Sequence, residues 1–200
     1  MFFRFLKVLK MVILLPIEMI WVLAYYFSSQ KPKIDMDIER FAKAQRRSVE
    51  GYRRIMVLVL NLMWVPAFRT LFLFRIGPMS FILARLMGRG IAFGFDVPRD
   101  KLGGGMYIQH GFGTLLSAKS VGENCWINQL VNVGYRGDGY PTIGNNVRIG
   151  TGAIVIGDIK IGDNVKIGAG AIVLHDVPDN CTVVCPEAAI VKRGDTSVQG

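Results

Sequence analysis

The chain has 200 residues, 51% of them hydrophobic, and carries 24 Lys or Arg against 15 Asp or Glu for a net charge of +9. That length accommodates one domain with attachments and excludes two full-sized domains. The three cysteines, Cys125, Cys181 and Cys185, form neither a metal-ligand spacing nor an even-numbered disulfide framework, so reduced thiols and no metal are expected. Charge is unevenly spread: residues 1–101 hold 17 basic against 7 acidic side chains, and residues 102–200 hold 7 against 8. The basic half is also apolar and aromatic and lacks a nucleic-acid motif, which favours a membrane surface as partner and argues against nucleic acid.

Residues 1–30 are almost continuously apolar, with Arg4, Lys7 and Lys10 three apart on one helical face. Glu18 would be costly at bilayer depth and Pro16 would kink a spanning helix. An amphipathic or obliquely inserted anchor is therefore expected, with a true span and a helix buried in an oligomer as alternatives. Residues 31–90 read as a helical region. In it KPKIDMD (31–37) is a polar break whose Asp37 caps a charged helix from Ile38 to Arg54. The apolar block 55–68 is too short to span, Pro66 opens a new helix carrying Arg69 and Arg75, and Pro78 opens a last one through Ala84 that ends at Gly88 or Gly90.

From residue 91 to 191 the pattern changes to Gly, Val and Ile. IGNNVRIGTGAIVIGDIK (143–160) matches IGDNVKIGAGAIVLHDVP (161–178) at most positions, and Ile143, Ile149, Val155, Ile161, Ile167 and Val173 fall six apart. A period of six suits neither a helix nor simple strand alternation, but it suits a short strand plus a turn. Three such units make one triangular coil, each aliphatic residue points inward, and Gly permits the turn dihedrals. The expected fold is mainly β, a left-handed parallel β-helix preceded by helices. Leu102, Ile108, Val121, Ile127 and Val133 continue the register with small slips, and the ten-residue step from Val133 to Ile143 extrudes a loop, YRGDGYPT (135–142), from one corner. After the coils, residues 192–200 form a tail.

Two histidines are present, His110 in MYIQHGFGT and His175 in VLHDVP, each two residues after an inward aliphatic side chain. Either could act as a general base, and spacing does not separate them.

MYIQHGFGTLLSAKSVGENCWINQLVNVG, the loop, and PTIGNNVRIGTGAIVIGDIKIGDNVKIGAGAIVLHDVPDN together resemble the hexapeptide-repeat acyltransferases, in particular the serine acetyltransferase-like branch that includes capsular and exopolysaccharide O-acetyltransferases. WVPAFRTLFLFRIG resembles the helix that precedes the β-helix in that branch. The resemblance implies that His110 is the general base, oriented by Asp96 or Asp100, and that His175 is a surface residue. It implies acetyl-CoA as co-substrate, lying in a groove between subunits of a homotrimer or a dimer of trimers. Thr151 and Ala169 would touch the coenzyme and Lys192 and Arg193 its nucleotide phosphates.

In that branch the serine enzymes have an Asp before the histidine and an Arg and a second His in the loop; here Gln109, Gly139 and Tyr140 stand at those places. With Arg136 and Asp138 as the only charged loop residues, Gln109, Arg136, Asp138 and Tyr140 become the expected acceptor-binding set, suited to a neutral sugar hydroxyl. The expectation is an acetyl-CoA-dependent O-acetyltransferase at the cytosolic face of a bacterial membrane, acting on a saccharide that is lipid-linked in one version. The alternatives are a serine O-acetyltransferase and a non-catalytic trimeric scaffold. A zinc enzyme of the γ-carbonic anhydrase type needs three histidines per zinc, more than the chain has.

Overall fold

The computed structural model describes residues 2–86, 91–137, 139–187, 192–193 and 196–197. Among these residues five α-helices precede the strands: α1 (Phe2–Phe27), α2 (Lys31–Ala44), α3 (Arg53–Trp64), α4 (Pro66–Ile76) and α5 (Pro78–Leu86). On α1, Glu18, Trp21, Val22 and Tyr25 are buried, at the spacing of one helical face. That face packs on α3, and Trp21 meets Phe72 of α4 edge to face at 6.4 Å. Leu15, Met19, Leu23 and Phe27, away from that face, are exposed. Among the described residues no single helix is long and apolar enough to cross a membrane. Only α3 and α4 qualify by composition as a pair, and they are bent by 109°. The bend follows from Pro66, which forces Val65 into an extended conformation and then starts α4 at its first turn.

Two expectations about α2 need correction. There is no break at 31–37: the helix begins at Lys31, and Asp37 lies in its middle, buried, rather than at a cap. The helix also ends at Ala44 instead of running to Arg54. Arg46 adopts a left-handed conformation (φ 55°) and the N–H of Arg47 reaches back to the carbonyl of Ala42 at 2.9 Å, closing the helix without a glycine.

The strands wind into a three-faced parallel solenoid. Face A stacks β1 (Gly94–Asp96), β3 (Leu115–Ser117), β6 (Asn132–Gly134), β9 (Ile154–Ile156) and β12 (Ile172–Val173). Face B stacks β4 (Ser120–Val121), β7 (Thr142–Ile143) and β10 (Lys160–Ile161). Face C stacks β2 (Tyr107–Ile108), β5 (Trp126–Ile127), β8 (Arg148–Ile149), β11 (Lys166–Ile167) and β13 (Thr182–Val183). All the hexad aliphatics from Leu102 to Val173 are buried, as the six-residue period requires. The corner between faces B and C is held by a ladder the hexads do not reveal. Asn124, Asn146, Asn164 and Asn180 are all left-handed, and the side-chain amide of Asn146 donates to Asn164 (3.1 Å) and that of Asn164 to Asn180 (3.0 Å). At the top of this corner Gly105 replaces asparagine, because a Cβ there would lie 2.3 Å from Asn124 Oδ1.

α2 and α4 close the N-terminal end of the solenoid through one buried ion pair. Arg75 Nε lies 3.0 Å from Asp37 Oδ2, and its two terminal nitrogens donate to the carbonyls of Leu102 (2.7 Å) and Gly103 (2.5 Å). Asp37 also accepts from the N–H of Met106 (2.8 Å) and of Gly105. Lys33 adds bonds to the carbonyls of Asp100 and Leu102. The first coil would otherwise present these backbone groups with no preceding coil to pair with them.

Removing one partner of this pair leaves a buried charge, so Arg75→Met is expected to cost about 3–5 kcal/mol, measured by urea unfolding. Burial pushes the Asp37 carboxyl up to about 6, outweighing the Arg75 guanidinium and the two backbone donors. An acid whose folded value lies above the ordinary ~3.9 gives the folded state extra protons between those limits. Its contribution thus favours folding at low pH and is lost as pH rises through about 6. Asp37→Asn is expected to lower the unfolding midpoint and to remove that fall between pH 4.5 and pH 6.5; an unchanged pH slope would show that Asp37 does not titrate there.

Candidate active site

His110 stands on an irregularity in an otherwise regular corner. Between faces C and A the chain takes five residues in three successive coils, from Ile127 to Asn132, Ile149 to Ile154 and Ile167 to Ile172. In the first coil it takes seven, from Ile108 to Leu115. The hydrogen bonds identify the surplus. Gly113, Leu130, Gly152 and Gly170 are equivalent left-handed positions, and Gln109 N–H bonds the coil below as Gly150 N–H does. What is added is His110 and Gly111, pinched off by a bond from Gly111 N–H to Gln109 carbonyl (2.9 Å). His110 is exposed at the tip, with φ at 67°. A non-glycine residue held there stores strain, and histidine is among the side chains that tolerate it. Gly111 is needed behind it, since a Cβ would sit 2.8 Å from the Phe93 ring.

The topology separates the two histidines, which spacing could not. His175 lies between β12 and Val177, on the corner between faces A and B, whereas His110 shares its corner with Thr151 and Ala169. Those two occupy equivalent places two and three coils further down, roughly 10 and 15 Å from the histidine's coil at strand spacing. Thr151 Oγ1 accepts from Asn128 Nδ2 at 3.4 Å. Lys192 and Arg193 form a backbone pair with Thr196 and Ser197, but their side chains lie outside the described residues.

Asp96 lies opposite Ser117 in the face A ladder, and Asp100 in a 3₁₀ turn (Arg99–Lys101) whose carbonyl is taken by Lys33. Both are exposed, and among the described residues no hydrogen bond joins either carboxylate to His110. Nor does one chain gather the acceptor-binding set. Arg136 and Tyr140 sit on the extruded loop at the corner between faces A and B, one corner away from Gln109, and Asp138 lies outside the described residues. The loop is closed by reciprocal bonds between Arg136 and Gly139, by Tyr135 donating to the carbonyl of Gly137, and by Tyr135 against Tyr140 at 5.4 Å. Beneath it Lys119 pairs with Asp158 at 2.5 Å.

Gln109 belongs instead to a polar network that the sequence does not announce. The indole N–H of Trp126 donates to Asn128 Oδ1 (2.8 Å) and Gln109 Oε1 (3.2 Å). Arg148 lies 4.2 Å and Arg40 of α2 5.8 Å from the Trp126 ring centre, a flanking arrangement of cations over one aromatic face system. A cleft of about 370 Å³ opens there, lined by Arg40, Lys43, Ala44, Tyr107, Gln109 and Trp126. A cleft of about 430 Å³ between α5 and β1 is larger, but its walls are mainly Phe74, Phe81, Phe93 and Phe95, with Arg99 the one titratable side chain on them. Cys125 is buried and its thiol is pushed up to about 12 by desolvation, so it is no nucleophile. Among the described residues no group of His, Cys, Asp or Glu is arranged to hold a metal ion.

Comparison with known proteins agrees with this architecture. Residues 140–175 match the family model "Bacterial transferase hexapeptide (six repeats)". The serine acetyltransferase of Synechococcus elongatus is 36% identical over 106 residues, 50% of this chain and 43% of that protein. The Staphylococcus aureus enzyme of the same name is 42% identical over 106 residues, 50% of each chain. The chain thus spans about half the length of the curated relatives it matches. Among solved structures, Neisseria gonorrhoeae serine acetyltransferase in complex with serine superposes with a TM-score of 0.63 at 27% identity, covering 84% of this chain and 71% of that one. A serine acetyltransferase in complex with CoA gives the same TM-score at 21% identity over 81% of this chain and 70% of that one, a likeness of fold alone. These matches agree with the resemblance to hexapeptide-repeat acyltransferases of the serine acetyltransferase type, lend no support to a capsular or exopolysaccharide branch, and overturn the expected saccharide acceptor. Residues 140–175 carry hexapeptide repeats, and the relatives named here, which match over half of this chain, are serine acetyltransferases.

Proposed function

We propose that the protein is an acetyl-CoA-dependent serine O-acetyltransferase with His110 as general base. The observation that carries this reading is the corner column: an exposed imidazole on a strained two-residue bulge, in line with Thr151 and Ala169 along one edge of the solenoid. An extended thioester arm laid along that edge would bring its acyl carbon to the histidine. The serine hydroxyl gives its proton to the imidazole as its oxygen attacks the thioester carbonyl. Collapse of the tetrahedral intermediate breaks the carbon–sulfur bond, and the proton passes to the departing thiolate, leaving O-acetylserine and free coenzyme A.

The serine assignment replaces the saccharide expected from sequence. Every relative and solved structure named above is a serine acetyltransferase. The argument for a sugar had set neutral Gln109 and the loop residues in one acceptor site. In a single chain the loop stands on another corner, so its Gly139 and Tyr140 share no pocket with Gln109 of the same copy. A trimer is proposed for the same reason: the face A–face B corner of one copy can face the His110 corner of the next.

Incubation with acetyl-CoA and L-serine is expected to release thiol. His110→Asn, which tolerates the left-handed backbone, is expected to keep the thermal midpoint while lowering that rate about 100-fold or more. His110→Val is expected to lose stability as well, by about 1–3 kcal/mol, because a β-branched residue resists φ near 67°. An Asn variant that retains wild-type thiol release would remove His110 from the chemistry.

A further inference from the structure

Every exposed side chain described on α1 is apolar, chiefly Leu15, Met19, Ile20, Leu23, Tyr26 and Phe27. At about 100° per residue these fall within an arc of about 140°. Glu18, the charged residue of the same stretch, lies on the other side, buried with Trp21, Val22 and Tyr25. α3, which packs on α1, repeats the pattern: Met56 and Trp64 are exposed two turns apart, and the exposed Arg53 stands one turn before Met56. A surface helix ordinarily turns charged and polar residues to water, and these two turn apolar ones.

Charge decides what covers that surface. Residues 1–90 carry 15 Lys or Arg against 5 Asp or Glu. Of the five acids Glu18 is buried, Asp37 is taken by Arg75, and Asp35 and Glu39 are taken by Lys31 and Arg54. Among the described residues this leaves Glu50 as the exposed carboxylate outside an ion pair, against exposed Arg46, Arg47, Arg53 and Arg85. Tyr52 and Arg53 stand near the C-terminal end of α1, because the adjacent Arg54 bonds Asp35, which accepts from Tyr25 of α1 at 2.6 Å. A second copy laid on this surface would set cations against cations. A bilayer bearing anionic lipid matches both features, the apolar arc entering the acyl boundary and the arginines meeting the headgroups. Tyr26, Tyr52 and Trp64 are of the residue types that settle at that boundary. Glu18 is no obstacle, since it faces protein, and no single described helix is long and apolar enough to cross. We propose that α1 and α3 lie along an anionic lipid surface, with α1 sunk over residues 15–27 and the cations around Arg53 holding its end. The inference is independent of the acetyltransferase reading.

Sedimentation of the full chain with vesicles tests it, using phosphatidylcholine alone and phosphatidylcholine with about 30% phosphatidylglycerol. The chain is expected to bind the anionic vesicles about tenfold or more tightly than the neutral ones, and to bind them less as salt rises. Met19→Gln/Leu23→Gln/Phe27→Gln alters side chains that are already exposed, so it is expected to keep the thermal midpoint while weakening binding about 100-fold or more. Arg47→Gln/Arg53→Gln is expected to weaken it about fivefold per cation removed. Alkaline carbonate is expected to release the bound protein, which it would not do for a spanning helix. Equal binding to neutral and anionic vesicles, wild-type binding by the triple variant, or retention in carbonate would each overturn the proposal. Light scattering reads the rival occupant: a triple variant that falls into smaller assemblies yet sediments with vesicles as the wild type does would show that a second copy covers this surface.

Discussion

The structure depends on closing the open end of a solenoid. Each coil satisfies its backbone groups through the next, so the first coil has a row of carbonyls and N–H groups with nothing before it. Here Arg75 and Asp37 fill that place together: the guanidinium takes the carbonyls of Leu102 and Gly103, and the carboxylate takes the N–H groups of Met106 and Gly105. The two side chains bond each other at the same time. An ion pair fully removed from water is seldom a large net stabiliser compared with apolar packing, but its directionality is worth more than its energy. Because each partner is committed to backbone atoms of one coil, α2 and α4 can dock on the solenoid in only one register.

That register reaches the candidate site. Phe41 of α2 packs edge-on against Tyr107 at 4.7 Å, Tyr107 against Trp126 at 5.0 Å, and Trp126 holds Gln109. α4 contributes from the other side, where Ala67 and Phe93 lie close behind Gly111. The bulge that displays His110 is thus backed by α4 and linked to α2 through Trp126 and Tyr107, and the buried pair positions both helices.

What the sequence disclosed follows from which forces are periodic. The hexads were legible because burial of one aliphatic residue per face repeats without exception from Ile143 to Val173. Pro66 and Pro78 were legible because proline acts on its own backbone and the residue before it. Asp37 was misread because a short polar side chain near a helix start has a local role that fits, and its true partner is 38 residues away. The end of α2 was missed because Arg46, not glycine, takes the left-handed position. The bulge was available as a seven-residue step among fives, yet the reading absorbed it as a small slip. Arg40 and Lys43 had no signal: cations on a helix usually face water, and only the docking of α2 on face C puts Arg40 over Trp126 and Lys43 on the wall of the same cleft.

The error over the acceptor has the same origin. Matching residues one by one to a family's pattern assumes that the positions in the pattern face one another, and in a three-sided prism that depends on the corner. Gln109 and His110 leave from the corner between faces C and A, while Arg136, Gly139 and Tyr140 leave from the corner between faces A and B. Within one chain a full face separates them, and no rotation of side chains spans it. Residues on different corners can combine only across a boundary between copies, so the charge of an acceptor pocket has to be read from what actually surrounds it. Around Gln109 that is Arg40, Lys43 and, across Trp126, Arg148. The surroundings of Gln109 are thus set by the docking of α2 on face C and not by the extruded loop of the same chain.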